Sequence, residues 1–123
     1  KNKGCGVGMC INPETSTRKI DKYIEKLDRV ILMAVNPGFS AQPYIESTSN
    51  KIIDIRNISN KIEIVIDGGM NVNTISEISM LGADSAVVCS VIVNSKNYMD
   101  TIKILKNSFK RGFKIRESLF KHK

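Results

Sequence analysis

The segment IEIVIDGG, residues 62–69, ends an apolar run in one carboxylate and two glycines. If the run is a strand of a parallel sheet, Asp67 lies at its carboxyl end, where barrel proteins of the α/β class place their chemistry. A carboxylate there can carry a proton or bind a cation, since burial raises its pKa and a neighbouring cation lowers it. The same position also suits an aspartate that caps the next helix or hydrogen-bonds its own turn. The residues alone leave both roles open.

Three segments that follow apolar runs could bind an anion through backbone N–H groups. They are NPGFSAQ (36–42), DGG (67–69) and CS (89–90), and the last leads into VIVNS, which could begin a short helix. Glycines let the main chain approach a ligand closely, and a helix N-terminus attracts phosphate. Each segment by itself is typical of a turn. Their presence in three consecutive units favours a phosphorylated ligand.

Two residues beside these segments have ordinary explanations. Met33 lies on an apolar run two residues before its loop, where core packing is the default role. Cys89, next to Ser90, suggests a nucleophile, but no histidine is available to activate it, because the only one is His122 near the end of the chain.

Length and charge exclude several classes of protein. A chain of 123 residues with 41% apolar and 25% charged residues predicts one globular domain, residues 1–123. Three cysteines without zinc or disulfide spacing favour a reducing cytoplasm, and no apolar run is long enough to span a membrane. The net charge of +7 arises wholly in residues 101–123, which predicts a solvated basic helix and no nucleic-acid partner. The chain does not begin with Met, which suggests a piece of a longer protein.

Strand-like and helix-like segments alternate four times. Apolar runs at 7–11, 29–35, 62–66 and 85–90 predict strands. Asn12 and Pro13 predict the start of a first helix; a second follows residues 36–44, a third spans 71–82, and a fourth starts near Tyr98 and is interrupted at Gly112. This alternation predicts parallel βα units. Because a (β/α)8 barrel needs about 250 residues, we expect half a barrel or an open four-stranded sheet.

Several of these segments, in their order and spacing, resemble the ribulose-phosphate 3-epimerase family. They are MAVNPGFSAQPYI (33–45), IVIDGGMN (64–71) and GADSAVVCS (82–90), while INPET (11–15) resembles the opening of the family's fifth unit. The similarity extends through residues 7–109 and leans slightly toward the branch that acts on allulose 6-phosphate. It implies a TIM barrel of which this chain holds the last four βα units.

The resemblance also implies an activity, epimerisation at C3 of a ketose phosphate. Ribulose 5-phosphate would become xylulose 5-phosphate, or allulose 6-phosphate would become fructose 6-phosphate. Members use two aspartates on opposite faces of the sugar and a divalent metal ion (zinc, iron or manganese) that stabilises the enediolate. The implied partner is the phosphorylated ketose, with no nucleic acid and no membrane, and the implied location is the cytoplasm.

The family's functional residues can be carried onto this chain where the motifs match. Asp67 matches the aspartate that both ligates the metal and acts as an acid–base, and Met33 matches a methionine beside the enediolate. The residues that match the phosphate-contacting loops are Gly38, Phe39, Ser40 and Ala41, then Gly68 and Gly69, and finally Cys89 and Ser90.

Two departures from the family pattern define the alternatives. The family usually has glycine at the positions of Ala41 and Cys89, and its other aspartate and two metal-binding histidines belong to the first half of the barrel. One hypothesis is therefore the C-terminal half of an epimerase, active only with its N-terminal half. The others are a phosphate-binding half-barrel without catalysis, and a structural remnant that associates through its open edges. In each case the unpaired edges predict a homo-oligomer for the chain alone.

Overall fold

The computed structural model describes residues 2–120, which form a four-stranded sheet with its connecting helices. The strands are β1 (Gly8–Ile11), β2 (Arg29–Met33), β3 (Glu63–Asp67) and β4 (Ser85–Val87). Two short 3-10 helices, Thr17–Lys19 and Asp21–Lys26, follow β1. The α-helices are α1 (Ser47–Ile58), α2 (Val72–Leu81), α3 (Ser90–Val93) and α4 (Tyr98–Phe120).

All neighbouring strands are parallel, in the order β1-β2-β3-β4, which confirms the predicted α/β class. Alternate residues of each strand point to opposite faces of the sheet. On one face Ile31 and Met33 are half-buried and Val87 is 46% exposed. The other face packs against helices and holds most of the core, with Val30, Leu32, Ile64 and Ile66 from the sheet and Ile52, Ile55, Ile75 and Ile78 from α1 and α2.

The segment after β1 differs from the predicted first helix. Ser16, not Asn12, caps the first 3-10 helix by accepting from the Arg18 N–H. Ile20 and Ile24 are buried as their spacing predicts, because an apolar spacing of three to four residues suits a 3-10 helix as well as an α-helix. Pro13 does not begin a helix in this structure.

Residues 12–15 instead form a turn held by a lysine from α1. The Lys51 ammonium donates to the carbonyl oxygens of Asn12, Pro13 and Thr15, at 2.9 Å for the first and 2.7 Å for the last. Thr15 N–H also donates to Asn12 O, at 3.0 Å. Partial burial lowers the pKa of Lys51. The lysine thus fastens the loop after β1 to the helix after β2, a link the sequence pattern did not reveal.

The predicted third helix is confirmed, with both of its ends. Asn71 caps α2 by accepting from the N–H groups of Asn73 and Thr74, and the Thr74 hydroxyl accepts from the Asn71 N–H in return. This reciprocal pair is a capping box. Gly82 ends the helix with φ +130°, a conformation that L side chains rarely adopt.

Arg56, near the end of α1, holds the amino-terminal ends of two strands together. Its guanidinium donates to Gly82 O at 2.8 Å and to Ile62 O at 2.7 Å, and it pairs with the Asp84 carboxylate. The same carboxylate accepts from the Ile64 N–H at 2.8 Å. Because the planar guanidinium holds its N–H donors in a fixed geometry, these contacts set the spacing of α1, β3 and β4.

The predicted interruption of the last helix at Gly112 is wrong. Helix α4 is continuous from Tyr98 to Phe120, and Gly112 is buried where α4 crosses α2. A Cβ at this position would lie 2.0 Å from the Ser76 carbonyl oxygen. The glycine therefore allows close packing of α4 on α2 and does not break the helix.

Among residues 2–120, none of the helices combines the length and the hydropathy that a membrane span requires.

Two serine hydroxyls reinforce the same crossing. The Ser79 hydroxyl donates to Phe109 O at 2.9 Å, and the Ser108 hydroxyl donates to Val72 O at 2.6 Å. Both serines are buried, Ser79 completely. Each buried hydroxyl is satisfied by a backbone carbonyl of the facing helix, as buried polar groups require.

Replacing Gly112 by alanine tests this packing. We expect Gly112→Ala to lower the free energy of unfolding by about 1–3 kcal/mol, because overpacking against a backbone carbonyl outweighs the better helix propensity of alanine. Arg111→Ala, at the exposed neighbouring position, is the matched control and should change stability by less than about 0.5 kcal/mol. Urea unfolding followed by circular dichroism measures both. A stabilised Gly112→Ala variant would contradict the close crossing of α2 and α4.

Candidate functional site

A cavity of about 400 Å³ opens at the carboxyl ends of β2, β3 and β4. It is formed by the loops that follow these strands, so its position agrees with the site expected from the sequence. All ten candidate residues line it: Met33, Gly38, Phe39, Ser40, Ala41, Asp67, Gly68, Gly69, Cys89 and Ser90.

Asp67 is the last residue of β3 and sits between two apolar neighbours. The parallel register pairs it with Met33 on β2 and Val87 on β4, so the three side chains point to the same face of the sheet. Asp67 is half-buried, and its backbone carbonyl accepts from Ala34 N–H at 2.7 Å. Within residues 2–120 its carboxylate has no hydrogen-bond or ion-pair partner. Since Asn71 caps α2, the helix-capping alternative for Asp67 does not apply.

The Cys10 thiol on β1 lies within electrostatic reach of this carboxylate. Partial burial raises the pKa of Cys10, and the negative charge of Asp67 raises it further. Both effects disfavour the thiolate. The charge of Asp67 on β3 therefore acts on a side chain of β1 across the strand between them.

A metal ion needs more ligands than this cavity supplies. Among residues 2–120 no group of three or more His, Cys, Asp or Glu side chains could hold a metal ion. Divalent ions take at least four ligands in proteins, and Asp67 is the one carboxylate that lines the cavity. His122 lies outside the described residues. The described part of the chain thus does not form the metal site that the family resemblance implies.

The loop after β2 contains two residues with positive φ. Gly38 has φ +124° and Ala41 has φ +59°. A left-handed backbone costs a non-glycine residue about 1–2 kcal/mol, so Ala41 is held there by the rest of the loop. In residues 2–120 the N–H groups of residues 38–41 donate to no protein acceptor, which leaves four donors at the cavity.

Gln42 closes this loop, although no sequence motif pointed to it. Its side-chain amide donates to the carbonyl oxygens of Asn36 and Phe39, each at 2.7 Å. Gln42 also lines the cavity. A glutamine in a loop carries no distinctive pattern, so only the folded loop reveals its contacts.

Gly68 and Gly69 are required by packing as well as by access to the cavity. Their φ values are +110° and +68°. A Cβ on Gly68 would lie 2.5 Å from the Val35 side chain, and a Cβ on Gly69 would lie 2.5 Å from the backbone of Tyr44. The two glycines thus let the loop after β3 pack directly on the loop after β2.

Tyr44 anchors the far end of that loop. Its hydroxyl is 2.9 Å from the Ser49 hydroxyl, which in turn donates to the Glu77 carboxylate at 3.1 Å. Burial raises the pKa of Tyr44. This chain of hydrogen bonds links the loop after β2 to both α1 and α2.

The fourth strand is shorter than the predicted 85–90. Strand β4 ends at Val87, and Ser90 is the first residue of the four-residue helix α3. Cys89 precedes α3 with an exposed thiol, and its side chain makes no capping hydrogen bond. Its carbonyl accepts from Ile92 and Val93. Both Cys89 and Ser90 line the cavity, and their role in binding phosphate stays a prediction.

Comparison with known proteins agrees with the sequence motifs. Residues 1–93 match the model of the ribulose-phosphate 3 epimerase family. The chain belongs to this family. Its resemblance to ribulose-phosphate 3-epimerases, first seen in three short motifs, is thereby confirmed, and the family is one of isomerase enzymes.

Curated relatives give the extent of the match. The chain is 40% identical over 114 residues to the ribulose-phosphate 3-epimerase of Buchnera aphidicola subsp. Baizongia pistaciae, covering 89% of this chain and 50% of the relative. It is 38% identical over 106 residues to the ribulose-phosphate 3-epimerase of Escherichia coli K12, covering 83% and 47%. The chain spans about half the length of the curated relatives it matches.

Solved structures of more distant proteins support the fold alone. One is the Amycolatopsis orientalis BexX/CysO complex, with a TM-score of 0.69 and 18% identity over 95% of this chain and 46% of the other. Another is thiamine phosphate pyrophosphorylase from Bacteroides thetaiotaomicron, with a TM-score of 0.51 and 21% identity over 87% and 52%. In both, the chain again matches about half of the longer protein.

The contact between Gly69 and Tyr44 can be tested by substitution. We expect Gly69→Ala to lower the free energy of unfolding by about 2–4 kcal/mol, since it adds left-handed backbone strain to a backbone contact. Gly4→Ala is the control, because Gly4 has φ +75° but nothing within 4 Å of its Cβ position. Equal losses in the two variants, measured by urea unfolding, would show that the loops do not pack as described.

The proximity of Cys10 and Asp67 predicts a change in thiol reactivity. In Asp67→Asn the charge that raises the pKa of Cys10 is removed, so the thiolate forms at lower pH than in the wild type. Alkylation of the Cys10 peptide by iodoacetamide, followed by mass spectrometry across pH in EDTA, should have its midpoint shifted to lower pH. Glu25→Gln, an exposed carboxylate elsewhere, should leave that midpoint in place. If the pH profile of Cys10 alkylation were unchanged in Asp67→Asn, the carboxylate of Asp67 would not act on the Cys10 thiol.

Proposed function

We propose that this chain supplies the C-terminal half of the active site of a ribulose-phosphate 3-epimerase. The single observation that carries the proposal is the cavity that joins an unpaired carboxylate, Asp67, to three loops of small residues. The half-barrel, taken as one domain of residues 1–123, would complete a (β/α)8 barrel with a further four βα units. Family membership and the half-length match to curated relatives support this arrangement.

Asp67 is proposed as the acid–base that works on one face of the sugar. Epimerisation at C3 breaks a C–H bond beside the C2 carbonyl, moves the electron pair into an enediolate, and returns a proton to the opposite face. A half-buried carboxylate without a protein partner is free to accept or donate that proton. A second acid–base is needed on the other face, and no other Asp or Glu of residues 2–120 lines the cavity.

Met33 supports this role because it lies beside Asp67 in the strand register. An apolar neighbour reduces the access of water to the reacting carbon. Asp67 as a ligand of zinc, iron or manganese remains a prediction, since the described residues bring no group of three or more His, Cys, Asp or Glu side chains together.

The loops are proposed to bind the phosphate group of the ketose. The N–H groups of residues 38–41 have no acceptor in the described chain, so they can donate to phosphate oxygens. Gly68, Gly69, Cys89 and Ser90 complete the rim of the same cavity. We propose ribulose 5-phosphate as the substrate because the relatives are named ribulose-phosphate 3-epimerase; allulose 6-phosphate remains an alternative.

The open face and edges of the sheet are proposed to pair with the missing half. Strands β1 and β4 each have one neighbour within the described sheet, and unpaired strand edges invite pairing with another chain. Homo-oligomerisation of the chain alone and a cytoplasmic location remain predictions.

A non-catalytic phosphate-binding module is the second candidate function. The observation that favours it is the lone carboxylate in the cavity, because one acid–base cannot invert a carbon centre by the two-sided mechanism. In this alternative the loops bind a phosphorylated ligand and no proton moves.

Deuterium incorporation separates the two functions. We expect the 123-residue chain to leave C3 of ribulose 5-phosphate unexchanged in deuterated water, and a fusion behind the N-terminal half of the Escherichia coli relative to exchange it. In the fusion, Asp67→Asn should reduce exchange by about 10²-fold or more, whereas Asp21→Asn, at an exposed position, should not. Exchange is read by proton NMR with zinc, iron or manganese added. Phosphate binding without exchange in the fusion would support the binding module, and exchange that persists in Asp67→Asn would remove that residue from the proposal.

A further inference from the structure

Gln42 ties the loop after β2 to itself through both hydrogens of one side-chain amide. Nε2 donates to Asn36 O and to Phe39 O, each at 2.7 Å. We infer that Gln42 is a positioning residue, which holds the backbone N–H groups of this loop in place for a phosphate group. The inference rests on the proposed function for its ligand, and on the loop geometry for everything else.

The orientation of the amide follows from its partners. Both contacts are to carbonyl oxygens, which accept only, so the nitrogen of the Gln42 side chain must face the loop. Nε2 has two hydrogens, and each has an acceptor. The side-chain oxygen makes no hydrogen bond within residues 2–120. The Gln42 side chain therefore donates two hydrogen bonds to the loop.

Fixing the Phe39 carbonyl also fixes the N–H group of Ser40, whereas Asn36 precedes Pro37, which has no N–H. In a trans peptide the C=O and the following N–H point in opposite directions, and the chain has no cis peptide bond in the described residues. Holding Phe39 O toward Gln42 thus directs the Ser40 N–H away from it. Ser40 lines the cavity, and its N–H has no protein acceptor in the described chain.

The tip of the loop has little else to define its conformation. Its base is closed by Ile45 N–H donating to Ala34 O at 2.8 Å. Beyond that base, the described hydrogen bonds of residues 36–41 are those made with Gln42. Phe39 is 83% exposed, and the Cβ position of Gly38 meets nothing within 4 Å. Packing therefore does not fix the conformation of residues 36–41, so we assign that role to the two hydrogen bonds from the Gln42 amide.

Ala41 makes the same point from backbone conformation. At φ +59° it occupies a region that alanine disfavours, and it lies directly before Gln42. A loop free to relax would leave this conformation. The glutamine contacts oppose that relaxation, so the N–H donors are arranged before a ligand arrives, which saves the cost of ordering them on binding.

Two substitutions test the role on the 123-residue chain. Gln42→Met keeps the length and removes both donors; Gln42→Glu keeps the shape but offers acceptors to the two carbonyls. Asn57→Met, at an exposed position of α1, is the matched control. The first readout is the ¹⁵N relaxation order parameter of the amides of residues 38–41 without ligand. The second is the affinity for inorganic phosphate, from chemical-shift titration of wild type, Gln42→Met and Asn57→Met.

We expect both Gln42 variants to lose order in residues 38–41 and Gln42→Met to bind phosphate about tenfold more weakly, while Asn57→Met matches the wild type in both. Unchanged loop order, or lost order with unchanged phosphate affinity, would overturn the positioning role. If the wild-type chain itself binds no phosphate, the proposed binding of a phosphorylated ligand is wrong. Loss of loop order in the Gln42 variants would then make Gln42 a purely structural brace, which also overturns the inference.

Discussion

The parallel register between β2, β3 and β4 is the constraint on which the rest of the structure depends. It places Met33, Asp67 and Val87 side by side on one face, while Ile64 and Ile66 of the same strand β3 point into the core. Because side chains alternate along a strand, a slip of one residue would bury the carboxylate and expose the isoleucines. The hydrophobic pattern that stabilises β3 therefore also sets the direction of the Asp67 side chain at its carboxyl end.

Close backbone packing then brings the loops around that carboxylate. Gly69 admits the backbone of Tyr44, Gly68 admits Val35, and Gly112 admits the carbonyl of Ser76. At each place a methyl group would overlap an atom of a neighbouring element. These contacts position the cavity indirectly. The loop that begins after Asp67 leads into α2, and α4 packs against α2. The glycines at these positions let neighbouring segments approach closely. The loops can then surround the cavity in which a ligand would bind.

The cavity has the character of one half of a site. It combines a free carboxylate with unused N–H donors, which suits proton transfer and phosphate binding. Yet inversion of a carbon centre needs groups on two faces, and the described residues occupy one. The chain matches half the length of a curated relative, and side chains such as Val87 on this face of its sheet are exposed.

Local patterns in the sequence were sufficient for the alternation of strands and helices, for the helix over 71–82 with its end at Gly82, and for the gathering of ten candidate residues at one edge of the sheet. Such features depend on periodicity, on capping chemistry and on the rule that parallel strands end at a common edge. The family followed from three motifs, because their order and spacing are specific.

Only the tertiary structure decided the roles of residues that act across elements. The sequence pattern predicts a helix break at Gly112. In the structure this glycine lies inside α4 and packs against Ser76 of α2, a neighbour that the pattern does not reveal. Lys51, Arg56 and Gln42 bind backbone carbonyls, which every residue possesses, so no side-chain pattern marks their partners. The 3-10 turns after β1 replaced a predicted helix because the turn held by Lys51 uses the residues that would have begun it. Long-range backbone contacts leave no periodic trace, and for that reason they become visible only when the chain is folded.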